Sequence, residues 1–350
     1  MMHGGDIYRN RIHTDFSVNL NPLPVRDSII SALKQGFKNS SAYPDLHQQS
    51  VRESLAGADG LDSTYVVAGN GASELIMAVT AAAEPRRAAV ICPAFSGYRR
   101  ALGRIRDCKT ESICLSEEDG FVFTEDIIDK IPADTELVCI ADPISHTGRN
   151  IDDAVIRKLL DHAEANGIRV IIDESFLYLS DKILSFEKRD TAALVKKYSG
   201  LYVIRSFTKL FALPGIRMGY LISQPQNIAE VTAQLPEWNL SMPAQYCMEQ
   251  CASELEDGEF VHDSAQFVSR ERGAFIEALR DAGMEVFDSD TIYFCFKADT
   301  GLYKYMIENG VLIRDLSNEE GLGEGYYRIA VKQHEHNAMI VRLIKEYADI

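Results

Sequence analysis

The sequence predicts an α/β protein, with a large domain on a mostly parallel sheet joined to a smaller α+β domain. Three observations carry this expectation. At 350 residues the chain exceeds one typical core, so a large domain plus a smaller one is the natural division. From about residue 63, short β-rich runs alternate with helical ones, which implies right-handed crossovers and a sheet covered on both faces. After about residue 240 that alternation gives way to long helical stretches followed by short strands.

In chain order, the first forty residues, with the irregular run SVNLNPLPVRD, follow neither pattern. Ser63–Ala68 reads as a strand and leads into an Ala-rich helix from Ser73. There follow a strand at Ala88–Cys92, a helix near 95–103, a strand at Cys108–Cys114, a short helix near 124–130 and a strand at Leu137–Ala141. An amphipathic helix at 151–166 precedes Val170–Asp173, and a helix at 190–198 precedes Leu201–Arg205. In the tail, helices at 242–256 and 262–281 come before strands Met284–Phe287, Tyr293–Lys297, Val311–Arg314 and Tyr326–Val331, with helices near 301–309 and 335–348. In an open parallel sheet ligands collect at the carboxyl ends of the strands, and several polar motifs of this chain fall there.

Composition narrows the function classes. A formal net charge of −16 disfavours nucleic acid or an anionic membrane as partner, while leaving room for a local basic pocket that takes a small anion. The seven cysteines (92, 108, 114, 139, 247, 251 and 295) are scattered, without a C-x-x-C pair, and most sit in apolar runs. Buried, reduced thiols in a cytoplasmic protein are expected. His334 and His336 have no matching cluster of Cys, Asp or Glu, so no metal is expected. The start, MMHGGDIYRN, lacks an apolar signal core, and no run approaches the roughly eighteen apolar residues of a membrane span.

Three motifs carry chemistry. Gly69-Asn70-Gly71-Ala72-Ser73-Glu74 lies between a strand and an apolar helix. It reads either as a phosphate-holding turn at a helix start or as an ordinary cap formed by Ser73. Ile171-Ile172-Asp173-Glu174 runs from apolar residues into a carboxylate at a strand end. A buried acid there needs a cationic partner, such as a protonated ring nitrogen, unless Asp173 is simply a helix cap or a metal ligand. In the run from Arg205 to Tyr220, Lys209 is hemmed in by Phe207, Leu210 and Phe211, with Ser206, Thr208 and Arg217 nearby. Burial beside another cation favours the neutral, nucleophilic amine.

Together these motifs resemble fold-type I pyridoxal-phosphate enzymes. Within them the chain is most similar to the histidinol-phosphate aminotransferase branch, and there to the L-threonine-O-3-phosphate decarboxylases of cobalamin synthesis. The resemblance rests on His3-Gly4-Gly5, Asp15-Phe16-Ser17-Val18-Asn19-Leu20-Asn21-Pro22, Tyr43-Pro44-Asp45 and SFTKLFALPGIRMGY, and it runs in order along essentially the whole chain. It implies a large cofactor-binding domain at 43–240, with 1–42 and 241–350 forming the small domain and N-terminal segment. It implies pyridoxal 5′-phosphate as cofactor, bonded to Lys209, with Asp173 at the pyridine nitrogen and Phe95 stacked on the ring. By the same resemblance Ala72, Ser73, Ser206 and Arg217 hold the cofactor phosphate, and Tyr43 reaches that of a partner subunit in a homodimer. Arg328 then takes the substrate carboxylate and Arg314 the substrate phosphate, while His3 and Asn19 line the entrance.

The chain departs from its relatives at Asp142-Pro143-Ile144-Ser145-His146-Thr147-Gly148, where they carry Asn-Pro-Asn-Asn-Pro-Thr-Gly. Ser145 replaces the asparagine that bonds the cofactor's phenolic oxygen, His146 replaces a proline, and Phe176 stands where many aminotransferases have a tyrosine. His146 is thereby a candidate acid/base. The expected reaction is decarboxylation of an O-phospho-amino acid, L-threonine O-3-phosphate or O-phosphoserine, to the amino-alcohol phosphate. A histidinol-phosphate-type aminotransferase and a cofactor-binding protein with lost or altered turnover are the alternatives.

Overall fold

Strands covered on both faces must be apolar on both, and the computed structural model assembles such runs into a seven-stranded sheet. It describes residues 4–185 and 189–348. The strands are β1 (Thr14–Asp15), β2 (Val66–Gly69), β3 (Arg87–Cys92), β4 (Lys109–Cys114), β5 (Leu137–Ala141), β6 (Arg169–Asp173), β7 (Leu201–Ser206), β8 (Gly219–Ile222), β9 (Glu285–Val286), β10 (Tyr293–Lys297), β11 (Val311–Leu312), β12 (Arg314–Asp315) and β13 (Tyr326–Ala330). The helices are α1 (Asp27–Lys38), α2 (Gln49–Ala58), α3 (Ala72–Ala83), α4 (Ser96–Leu102), α5 (Glu125–Ile128), α6 (Asp153–Asn166), α7 (Thr191–Lys197), α8 (Phe207–Leu210), α9 (Pro225–Thr232), α10 (Met242–Asp257), α11 (Glu259–Arg280), α12 (Leu302–Glu308) and α13 (His334–Ala348).

The large sheet runs β2-β8-β7-β6-β5-β3-β4. Every neighbouring pair from β7 to β4 is parallel, and β8 alone runs antiparallel to both its neighbours. The expected mostly parallel sheet is therefore present. Strands β5 and β7 are buried at every residue, whereas edge strand β4 alternates toward solvent. β3 has β4 on one side and β5 on the other, so the winding reverses there and opens a crevice at the carboxyl ends.

The smaller sheet, β12-β13-β10-β9, is antiparallel. The N-terminal segment ties onto it: β1 pairs with β11, and Ala330 N–H donates to the Phe16 carbonyl. Asn21 binds the carbonyl of Leu210 at 2.8 Å and the Ser264 hydroxyl at 2.8 Å, joining this segment to the lysine turn and to α11.

Several expectations need correction. Ser63–Tyr65 is a 3₁₀ turn rather than strand, because Asp62 turns back to accept from Thr64 N–H at 2.9 Å. Val311–Arg314 breaks at Ile313 into β11 and β12, which serve different sheets. The irregular start holds α1, whose apolar stripe packs on α10 rather than on a sheet, and α2, β8 and α9 also lie outside the expected elements. Of the seven free cysteines, Cys108 is half-buried and Cys114 exposed, because Cys114 ends the edge strand. No helix among the described residues is long and apolar enough to cross a membrane.

Candidate active site

The carboxyl ends of β3, β5, β6 and β7 converge on a cavity of about 280 Å³, which the small sheet and the N-terminal segment close from the other side. Its lining includes Ala72, Ser73, Phe95, Ser145, Asp173, Ser206, Lys209 and Arg217 from the large sheet's loops and helix starts. Asn19, Arg314 and Arg328 line the opposite wall, and His146 joins the two.

One end of the cavity is a cluster of donors. α3 is capped by Gly71 and not by Ser73, and its cap makes no side-chain bond. The Ser73 hydroxyl, at the second helical position, is thus left to the cavity. Glu74 turns back to accept from Asn70 N–H at 2.7 Å, which shapes the turn. Gly71 has φ +77°, and a Cβ there would meet the Arg217 guanidinium at 2.7 Å, so only glycine admits that close approach. Arg217 is itself held by the carbonyls of Pro214 and Asn70, at 3.1 and 3.3 Å. Ser206 caps α8 and its hydroxyl lies 2.7 Å from that of Thr208. A guanidinium, three hydroxyls and the N–H groups opening α3 form the donor set of a phosphate dianion.

At the centre stand Asp173 and Lys209. Asp173 is 7% exposed and accepts from Ser175 N–H (3.0 Å), Ser175 O–H (2.5 Å) and Tyr98 O–H (2.9 Å). Burial nevertheless raises its pKa above the usual carboxylate value, against the pull of those bonds. A cation at Asp173 would restore the ionised form. Lys209 has its ammonium nitrogen 5.6 Å from the centre of the Phe176 ring. Burial, reinforced by Arg328 and Arg217, lowers its pKa to about 8. The neutral fraction of its amine therefore rises through pH 8, so labelling of the cofactor-free protein with an amine-reactive reagent should show that midpoint at Lys209. A midpoint at the ordinary lysine value, about 10.4, would contradict this environment. Phe95 lies edge-on to Tyr98 at 5.8 Å. Gly97 leaves the space it needs, since a Cβ there would overlap the Phe95 ring. These groups fit a flat, cationic aromatic ring carrying a phosphate.

The far wall holds two guanidiniums. Arg314 and Arg328 are direct cross-strand partners on β12 and β13, so both side chains leave the same face of the sheet. Arg314 is paired with Glu319 at 2.5 Å. Arg328 donates to the Ser17 carbonyl at 3.0 Å and lies over the Tyr293 ring at 5.2 Å, while its Nε is buried with no partner among the described residues. The side-chain oxygen of Asn19 is likewise buried with no partner among the described residues. His146 Nδ1 lies 3.3 Å from Arg328 and its Nε2 lies 3.1 Å from the Ala94 carbonyl. Burial, then the charges of Arg328 and Arg314, hold its pKa well below the ordinary value.

Two expected residues are elsewhere. Tyr43 does not line the cavity; it is 79% exposed and packs on Trp238 at 5.0 Å, because the segment that carries it lies on the outer surface. His3 lies outside the described residues. Sequence reasoning missed Tyr98, Tyr293 and Glu319. Tyr98 carries a local signal, three residues beyond Phe95 on α4. Tyr293 reads only as a strand residue, and Glu319 lies in a loop without a motif.

The family description "Aminotransferase class I and II" matches residues 11–344. A relative from Caldanaerobacter subterraneus subsp. tengcongensis, provisionally named a threonine-phosphate decarboxylase, is 31% identical, the match covering 98% of this chain and 93% of its own. The threonine-phosphate decarboxylase of Salmonella typhimurium is 27% identical over 95% of this chain and 90% of its own. Among solved structures, the histidinol-phosphate aminotransferase of Clostridium acetobutylicum superposes with a TM-score of 0.87 at 26% identity, covering 96% of this chain and 99% of that one.

Proposed function

The chain belongs to the aminotransferase class I and II family, with its fold-type I architecture and pyridoxal 5′-phosphate cofactor, and from that premise we propose that it decarboxylates an O-phospho-amino acid. L-Threonine O-3-phosphate is the first candidate and O-phosphoserine the second; the product is the corresponding amino-alcohol phosphate. Under the same reading the enzyme is a cytoplasmic homodimer that serves cobalamin nucleotide-loop synthesis. Tyr43, on its exposed ledge with Trp238, is suited to reach the cofactor phosphate of a second copy.

The observation that carries the reading is the cross-strand pair Arg314–Arg328 at one cavity. Like charges directly opposite on a sheet repel, and only Arg314 has a carboxylate partner. A ligand with two anionic groups, such as a carboxylate and a phosphate, relieves that repulsion. The relatives' names point to the same substrate class.

When bound, the cofactor supplies an electron-withdrawing pyridinium ring next to the substrate α-carbon. Ser73, Ser206, Thr208 and Arg217 would hold its phosphate, Asp173 its ring nitrogen, and Phe95 one face of the ring. Lys209, with its lowered pKa, would hold the cofactor through its amine and would carry a proton on Nζ to the α-carbon. Arg328, which lines the cavity, orients the leaving carboxylate, and Phe176 and Tyr293, packed edge-on at 4.9 Å, shield the amine from water.

The test is release of carbon dioxide from O-phosphothreonine and O-phosphoserine; no release above a Lys209→Ala control sinks the reading. The structural likeness to an aminotransferase supports a second reading, aminotransfer, in which Lys209 would take the α-proton on Nζ and the substrate would keep its carboxylate. Conversion of the cofactor to its amine form with a keto product, without carbon dioxide, would select it. Glu319 sharpens the substrate question. It occupies Arg314 at 2.5 Å, so an incoming phosphate must displace a carboxylate. Glu319→Gln should lower KM for the phosphorylated substrate roughly tenfold, the worth of one charge-assisted hydrogen bond. A raised KM would mean that Glu319 itself recognises the substrate, and that the distal group is no phosphate.

A further inference from the structure

His146 sits in the loop where this chain leaves its relatives' pattern, and its ring has two partners of opposite character. The Ala94 carbonyl, 3.1 Å from Nε2, can only accept a hydrogen bond. The Arg328 guanidinium, 3.3 Å from Nδ1, can only donate one. Two such partners permit one state of the ring, with the proton on Nε2 and the lone pair of Nδ1 facing Arg328. The Glu319 carboxylate lies 3.6 Å from Nε2, beyond hydrogen-bond reach. The ring is 6% exposed, so neither nitrogen exchanges its partner for water.

The backbone commits to this arrangement. His146 has φ +68°, a left-handed conformation that costs most side chains about 1 kcal/mol or more and is entered most readily by glycine, asparagine, aspartate and histidine. The loop is tied on both sides. Ile144 exchanges backbone bonds with Arg149 and Gly148 at 2.8 and 2.9 Å. Asp142 accepts from Ile151 N–H at 2.9 Å and pairs with Lys182 and Arg189. Asp290 accepts from Asn150 N–H at 2.8 Å. The imidazole is thus mounted on a tied loop and grips a guanidinium that is otherwise held, among the described residues, by the Ser17 carbonyl and the Tyr293 ring.

We propose that His146 is a positioning residue for substrate specificity: as the neutral Nε2–H tautomer it fixes the Arg328 guanidinium at the cavity wall, in the orientation that takes the substrate carboxylate. This replaces the expectation that His146 is an acid/base, since both ring nitrogens are already engaged. It rests on the reading that Arg328 binds that carboxylate.

The test uses the holoenzyme and two variants that both tolerate the left-handed backbone, His146→Gly and His146→Asn. The asparagine carbonyl can stand where Nδ1 stands and accept from Arg328; glycine offers nothing. Dissociation constants are read by rapid mixing, from the first change of the bound cofactor's absorption before turnover, for O-phosphoserine and for O-phosphoethanolamine, which lacks only the carboxylate. His146→Gly should weaken O-phosphoserine about tenfold and leave O-phosphoethanolamine within twofold, and His146→Asn should recover most of the loss. Equal weakening of both ligands, or of neither, overturns the proposal. If the wild type binds neither phosphorylated ligand, the substrate reading fails, and L-glutamate against 4-aminobutyrate tests His146 in the same way. Nitrogen-15 spectra of histidine-labelled protein, with His146 assigned by its loss in the variants, should show Nε2 protonated and Nδ1 bare at neutral pH. A protonated Nδ1 overturns the assignment whatever the substrate.

Discussion

Lys209→Ala should reduce turnover by a factor of ~10²–10⁴ or more, the contribution of a positioned proton carrier, while the protein still folds. Lys209 sits on the four-residue helix α8, whose cap is Ser206 and whose neighbours Phe207, Leu210 and Phe211 are buried. The lysine side chain itself is half-buried and turned into the cavity, so truncating it leaves the apolar core intact. Borohydride reduction followed by peptide mass spectrometry should place the cofactor's mass on the Lys209 peptide of the wild type and on no peptide of the variant. An alanine variant that turns over within tenfold of wild type, or a cofactor found on another lysine, would remove Lys209 from its role.

Asp173→Asn should lower kcat by ~10²–10³, the usual loss when one fixed charge-stabilising contact is removed from an active site. The substitution is close to isosteric. One amide oxygen can still accept from both donors of Ser175, and the Tyr98 hydroxyl can rotate to accept from the amide N–H. What is lost is the negative charge. Burial already pushes the Asp173 carboxyl toward its neutral form, and a cation opposite it would favour the ionised one. Cofactor retention should change far less than turnover, because Arg217 and the Ser206–Thr208 hydroxyls lie at the other end of the site. Activity within threefold of wild type, measured as carbon dioxide release at saturating substrate, would show that no ring nitrogen depends on Asp173.

The two outcomes together separate chemistry from scaffold. Glu174, the neighbour of Asp173, is fully buried and bonds Arg189 at 2.9 Å and Arg205 at 2.8 Å. Removing one member of such a buried charge network leaves its partners uncompensated. Substitutions at Glu174 should therefore lower stability and those at Asp173 turnover, although the two residues are adjacent in sequence.

The large sheet was legible because its strands are short apolar runs punctuated by polar turns, and because parallel strands buried on both faces leave little ambiguity of type. The lysine motif and the acid at the end of β6 were legible for the same reason: a charged residue set in apolar sequence is costly unless it has a purpose. Local sequence was a poorer guide where an element owes its form to distant partners. α1 exists as a cover for α10, and β11 and β12 part company at Ile313 because one serves β1 and the other β13.

The sequence by itself determined the class of fold and the family, and it nominated the residues proposed to bond and hold the cofactor, since each is written in short stretches whose meaning is local. Only the tertiary structure decided which charges meet. It set Arg314 opposite Arg328, brought Glu319 from a motif-free loop onto Arg314, and engaged both ring nitrogens of His146. Those contacts join residues about 5 to 180 positions apart in the chain. Electrostatic energy depends on distance through space, which no spacing along the sequence specifies.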